Sequence, residues 1–238
     1  MRDIIIEIDA KNRFDNAVDE ILEGDKELSG FLVAYGQAGR GKTVSADSYY
    51  CNRGGVYLRV QQGWSQTAFM QRLLFEVRAK NDADMPRMNA HRCKQEIINR
   101  LERDRKPLFI DEADRLHIDL VEHLRDILDI TGSPPILIGE EGLLGLLAER
   151  RRIWSRVVEE VEFGPISGGE IGIYAMQAAG LDIPGELCIQ IKEKAEGDFR
   201  LVRNMTRLLE RAAKAADTFK VSKEILDTVL SARSWRRK

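Results

Sequence analysis

The most specific chemistry in the chain lies in eight consecutive residues, Gly36-Gln37-Ala38-Gly39-Arg40-Gly41-Lys42-Thr43. They satisfy the spacing G-x-x-x-x-G-K-[ST], follow an apolar run and open a helical stretch. Glycines let consecutive backbone N–H groups wrap phosphate oxygens, and the N-terminus of the helix that follows, with Val44 counted among the nucleotide-binding residues, turns its partial positive charge to the same anion. The spacing predicts that Lys42 reaches the outer phosphates of a nucleoside triphosphate, ATP, and that the Thr43 hydroxyl is a ligand for magnesium. Such a loop needs an acidic partner at the end of a buried strand, and Pro107-Leu-Phe-Ile-Asp111-Glu112 supplies one. Asp111 is expected to hold the magnesium through its waters, and Glu112 to polarise the attacking water as a general base.

Positioning these groups calls for a parallel sheet covered by helices. Short apolar runs at 31–35, 56–60, 107–110, 136–138 and 157–163 alternate with amphipathic stretches near 41–51, 65–79, 90–104, 117–130 and 141–150. That alternation predicts an α/β fold, a five-stranded parallel P-loop sheet flanked by helices. A loop is expected at Asn81–Met88. After Gly164-Pro165 the strand signal ends, and helices are predicted near 168–179, 185–195, 199–216 and 222–232, so a small all-helical lid follows the sheet. The expected division is a lead-in at 1–30, a nucleotide-binding domain at 31–166 and a lid with a basic tail at 167–238.

Composition narrows the class further. The 238 residues carry 37 Lys and Arg against 39 Asp and Glu, a net charge of −2, with 43% hydrophobic residues. Near-balance argues against a uniformly basic DNA coat. The total is nevertheless a cancellation, because residues 199–238 hold 11 Lys and Arg and 4 Asp and Glu, leaving +7 there and −9 on the preceding 198. Cys51, Cys93 and Cys188 are widely spaced, which argues for reduced thiols rather than disulfides or zinc. His91, His117 and His123 lack metal-ligand spacing and are expected on the surface or in helix packing. The absence of a spanning run or signal peptide predicts that the chain stays in the cytoplasm.

From about Phe31 to Thr218 the chain resembles the AAA+ ATPases, and within them the group around phage Mu transposition protein B and related transposon target-selection regulators. Beyond the loop and acidic pair, Pro134-Pro-Ile-Leu-Ile-Gly139-Glu140 is similar to the strand that ends in the family's γ-phosphate sensor. Gly139 and Glu140 stand where Asn, Thr or Ser is usual; Glu140 can order a water but also repels phosphate. Glu149-Arg-Arg-Arg-Ile-Trp-Ser-Arg156 resembles the arginine-finger segment, which implies that Arg156 completes the site of a neighbouring subunit. Phe163-Gly-Pro-Ile-Ser-Gly-Gly-Glu170 resembles the hinge into the lid, and Gly197-Asp198-Phe199-Arg200 the second sensor, with Arg200 on the γ-phosphate. The Mu protein's N-terminal DNA-binding domain is expected to be missing or reduced, since about thirty residues precede the first strand.

DNA contacts are expected from four stretches. Arg200, Arg203, Arg207, Arg211 and Lys214 share one face of a predicted helix whose opposite face is Leu201, Val202, Met205, Leu208, Leu209, Ala212, Ala213 and Ala216. The tail Arg233-Ser-Trp235-Arg-Arg-Lys238 mixes cations with an aromatic. The resemblance adds Arg59, Gln61, Gln62, Trp64, Ser65 and Gln66, and the stretch Arg87–Lys94. No base-reading motif is present, so binding would run through phosphates and be salt-sensitive. The leading expectation is an ATP-hydrolysing, DNA-binding regulator of transposition that forms a ring or filament of identical subunits with ATP on target DNA and recruits a transposase. A nucleotide-gated interaction protein without DNA, and a helicase loader or initiator, remain the alternatives.

Overall fold

The computed structural model describes residues 1–2, 4–25, 29–78, 84–232 and 234–236. They form two compact units, one of residues 10–37 and 42–163, the other of residues 1–9, 38–41 and 164–238.

The first unit is built on five parallel strands, β1 (Phe31–Tyr35), β2 (Val56–Arg59), β3 (Leu108–Asp111), β4 (Pro135–Gly139) and β5 (Val157–Glu162), in the order β2-β3-β4-β1-β5. Because every strand pair is parallel, the chain must return to the same end of the sheet between strands, and the helices that carry it back cover both faces. Period-2 alternation assigns the side chains. Leu32, Ala34, Phe109, Ile136 and Ile138 meet α1 (Asp9–Glu23) and α2 (Lys42–Arg53) through Phe14, Ala17, Val18, Ala46 and Tyr49. Phe31, Val33, Leu108, Ile110 and Leu137 face α3 (Gln66–Val77), α4 (Ala90–Leu101), α5 (Ile118–Thr131), α6 (Gly142–Ala148) and α7 (Arg151–Trp154). Boundaries follow local chemistry: Ser65 and Asn89 cap α3 and α4 through their side chains, and Gly132, in the left-handed region at φ 71°, closes α5. The parallel arrangement brings the carboxyl ends of all strands, Tyr35, Arg59, Asp111, Gly139 and Glu162, to one edge of the sheet.

The second unit consists of α8 (Gly168–Ala179), α9 (Gly185–Lys194), α10 (Phe199–Ala215) and α11 (Lys223–Ser231) around a core that includes Ile171, Tyr174, Ile191, Val202, Met205, Leu209 and Leu226. Ser167 and Glu170 form a reciprocal capping box at the start of α8. Residues 1–2 and 4–8 lie in neither helix nor strand and belong to this unit, with Ile6 in its core and Ile4 and Ile8 packed against it. Of the isoleucines near the start of the chain, Ile4, Ile6 and Ile8 are covered by the helical core and Ile5 is exposed, whereas α1 packs on the sheet.

Further differences from expectation have local causes. Ala216, expected on the buried face of α10, is exposed at its C-cap, and Glu210 sits on that face instead. Its charge is accommodated by the Met1 ammonium at 2.8 Å and Lys214 at 2.9 Å. Trp235 is 2% exposed and part of the helical core, so the aromatic of the basic tail is not offered to a partner. Arg233, Arg237 and Lys238 lie outside the described residues, as do 81–83 of the expected loop; 84–88 are irregular. No helix among the described residues is long and apolar enough to cross a membrane.

Candidate functional site

The eight-residue loop leaves β1 at Tyr35 and enters α2 at Lys42. Gly36 has φ 144°, and a Cβ there would stand 2.4 Å from the Phe163 carbonyl oxygen. Gly39 has φ 80°, and a Cβ there would stand 2.2 Å from Oδ1 of Asp198. Asp198 caps α10 by accepting from the Arg200 and Leu201 amides, while the Phe199 amide donates to the Gly39 carbonyl at 2.9 Å. A side chain at Gly197 would meet Arg40 and Pro165. Arg200, exposed, thus begins a helix whose first turn rests on Gly39. Gln37, Ala38 and Val44 are exposed, and Arg40 and Gly41 half-buried.

Lys42 folds back on its own loop, its ammonium donating to the carbonyls of Gly36 at 2.6 Å and Gln37 at 2.9 Å. Burial pulls its pKa below the ordinary lysine value, against the opposing pull of the Glu140, Asp111, Asp114 and Glu112 carboxylates. The Thr43 hydroxyl stands 3.2 Å from each oxygen of Asp111. Asp111 is 2% exposed; burial raises its pKa, opposed by Tyr57, Arg59, the Glu112 amide and Thr43. The Glu112 amide donates to Asp111 Oδ1 at 3.0 Å and the Tyr57 hydroxyl to Oδ2 at 3.0 Å.

Glu112 has φ 59° and ψ 39°, a conformation that a side chain rarely adopts and that surrounding contacts must hold. Arg59 supplies such a contact, donating to Oε1 at 2.8 Å, and Arg115 lies 3.1 Å from Oε2. Chiefly through the Arg59 hydrogen bond, the Glu112 carboxyl is held below its ordinary pKa. Arg59 therefore has carboxylate partners, and the position that the family resemblance pointed to for DNA is occupied by this ion pair. Lys94 is similarly engaged with Asp126, and Trp64 packs against the core.

Glu140 follows the end of β4, its amide donating to Asp114 Oδ1 at 3.1 Å, with its side chain exposed. A Cβ at Gly139 would stand 2.5 Å from the same Asp114 oxygen, so a side chain at this strand end would displace the Asp114 carboxylate. Arg156 lies before β5, at the opposite edge of the sheet; six strand residues at about 3.3 Å each put roughly 20 Å between it and the Asp111 edge. It pairs with Asp129 at 2.9 Å, and Arg150 and Arg152 pair with Asp119 and Glu122, all on α5. The acidic residues of α5 thus hold Arg150, Arg152 and Arg156 of the arginine segment. Sequence reasoning missed Tyr57 and the partners of Arg59; the signal available was Tyr57 two residues before Arg59 on a strand, which puts both on one side.

A five-stranded parallel sheet with a glycine-rich phosphate loop after β1 and an acidic pair ending β3 is the P-loop AAA+ architecture. A family of AAA domains matches residues 25–147, more than half of the chain, and the protein belongs to that family. A Staphylococcus aureus protein described as a potential ATP-binding protein is 25% identical over an alignment covering 82% of this chain and 85% of that one. Among solved structures, Cdc6p from Pyrobaculum aerophilum superposes with a TM-score of 0.66 at 15% identity, over 95% of this chain and 68% of that one. The Aeropyrum pernix ORC1 protein in complex with DNA gives 0.59 at 17%, over 94% of this chain and 64% of that one. The Thermotoga maritima RuvB Holliday junction branch migration motor gives 0.60 at 17%, over 96% and 70%. At these identities the likeness to the structures is one of fold, and this chain spans only about two thirds of their lengths.

The donors at the Asp111 edge fit a magnesium ion: a hydroxyl and a buried carboxylate, both hard oxygens, already converge to 3.2 Å. The loop fits a phosphate, since the Lys42 ammonium lies against the loop's own backbone and Gly36, Gly39 and Gly41 hold the positive φ angles that let amides converge on an anion.

Proposed function

We propose that this protein binds and hydrolyses ATP with magnesium, assembles with further copies of itself when ATP is bound, and holds DNA through its phosphates as a regulator of DNA transposition. The observation that carries the ATP reading is the grouping of Lys42, Thr43, Asp111 and Glu112 at one edge of the sheet. The name of the Staphylococcus relative supports it. Lys42 would leave the Gly36 and Gln37 carbonyls for the outer phosphates, together with amides from Gly36 to Val44. Thr43 and Asp111 would hold the magnesium, whose charge offsets that of the phosphates. Glu112 would accept the proton of the attacking water as the bond from the γ-phosphorus to the bridging oxygen breaks and ADP leaves. Arg200 would sense the γ-phosphate from the start of α10, and Glu140 would order a water beside it.

Assembly is supported by the position of Arg156, too far from the Asp111 edge of its own sheet to act there and open to a neighbour on its 47% exposed side. DNA binding is supported by α10: Arg200, Arg203, Arg207, Arg211 and Lys214 are all exposed along one face. The transposition role and the transposase partner rest on the motif resemblance alone, and a loader or initiator role shares the same residues. Sedimentation with ATP, ADP and DNA tests the proposal. Wild type should assemble with ATP and retain DNA at low salt, and Lys42→Ala should do neither. A protein that stays monomeric in every condition refutes the assembly reading, and one that assembles without retaining DNA leaves the nucleotide-gated interaction protein.

A further inference from the structure

The carboxylate of Asp111 is fixed by more than the phosphate-loop threonine. Tyr57 lies on β2, which runs alongside β3 with Tyr57 opposite Phe109 and Arg59 opposite Asp111. Its ring stacks on Phe109, centroids 6.4 Å apart at 28°, and meets Tyr50 of α2 at 5.7 Å. Packed between a strand and a helix, the ring has little rotational freedom, and its hydroxyl is aimed at Asp111 Oδ2 at 3.0 Å. The other oxygen takes the Glu112 amide at 3.0 Å. Each carboxylate oxygen is thereby tied to a donor of its own in addition to the Thr43 hydroxyl, which meets both, and Arg59 Nε lies 3.7 Å from Oδ2.

We propose that Tyr57 is a positioning residue for the magnesium site: its hydroxyl sets the plane of the Asp111 carboxylate, so that the carboxylate and Thr43 present their oxygens to the metal without further reorganisation. Tyr57 acts through Asp111 and touches neither nucleotide nor metal. The inference rests on the ATP-and-magnesium reading above.

Tyr57→Phe removes the hydroxyl and keeps the ring contacts with Phe109 and Tyr50. Binding of a fluorescent ATP analogue is titrated by anisotropy, once in excess chelator and once against increasing magnesium. The chelator measurement reports whether the variant's loop is folded and competent. The expected result is an unchanged affinity in chelator and a magnesium concentration for half-saturation raised by about tenfold, the low end of the effect of losing an outer-shell partner of a metal ligand. Equal magnesium dependence in Tyr57→Phe and wild type overturns the role of Tyr57 while leaving the site reading intact. Loss of affinity in chelator as well as in magnesium also overturns it, since the hydroxyl would then serve the fold of the loop. A wild type whose nucleotide binding ignores magnesium refutes the underlying reading itself.

Discussion

Gly39→Ala should damage the helical unit by more than its backbone angle alone explains. With φ at 80°, an alanine there costs about 1–2 kcal/mol in left-handed strain. In addition, its Cβ would stand 2.2 Å from Asp198 Oδ1, a distance no real contact allows, so the Asp198 side chain must leave its place. That releases the amides of Arg200 and Leu201, and loss of such a cap costs roughly 1 kcal/mol. The total is then about 2–3 kcal/mol. Gly63→Ala is the control, because Gly63 has φ 81° with nothing within 4 Å of where its Cβ would stand, and so carries the angular strain without the collision. Urea denaturation of both variants, with hydrogen exchange across α10, separates the two effects. Gly39→Ala should lose about 1 kcal/mol more than Gly63→Ala and speed exchange in the first turn of α10. Combining Gly39→Ala with Asp198→Ala should cost less than the sum of the single changes by a similar ~1 kcal/mol, because the cap is lost only once. Equal losses for the two glycine variants, with α10 exchange unchanged, would refute the reasoning.

The ion pairs offer further tests. Arg59→Ala frees Glu112 from its main partner; an exposed pair of this kind is worth about 0.2–1 kcal/mol, so ATP turnover should rise by up to roughly fivefold, and a fall in turnover with the fold intact contradicts the assignment of Glu112 as the base. The same pair has a pH signature. Arg59 depresses the Glu112 pKa in the folded protein, so its stabilisation is complete above the ordinary value of 4.5 and is lost as pH falls through the depressed value. Below pH 4.5, the gap in stability between wild type and Arg59→Ala should therefore narrow, and a gap independent of pH argues against the pair. Asp129→Asn releases Arg156, and ATP-dependent association measured by sedimentation should strengthen by less than about fivefold; weaker association would show that Asp129 supports the interface instead of restraining it.

The phosphate loop was legible because its chemistry is local: three glycines, a lysine and a threonine at fixed spacing need only a strand before them and a helix after them. The acidic pair was legible for the same reason, as the polar end of an apolar run. All five strands and the lid helices fall close to where period-2 and period-3.6 patterns place them, since burial of one face is written in each segment by itself. Short-range patterns do not say who covers whom. Ile4, Ile6 and Ile8 fall within the expected lead-in, and only the folded chain assigns them to the helical core. Glu210 reads as one more polar residue until its partners, the Met1 ammonium and Lys214, are in place.

Charge shows the same division. The sequence by itself determined that the C-terminal forty residues carry the positive charge and that the arginines of residues 150–156 lie together before the final strand. Which of those charges are engaged was a tertiary matter. Arg59 lies on Glu112 because β2 runs beside β3, Arg156 lies on Asp129 because α5 ends next to the start of β5, and Trp235 is hidden because the helical core closes over it. A side chain's type and its neighbours along the chain set what chemistry it can do. Whether that chemistry is restrained, aimed or left open is decided by residues far away in sequence, whose approach depends on the order of strands in the sheet and on the packing of the helices against it.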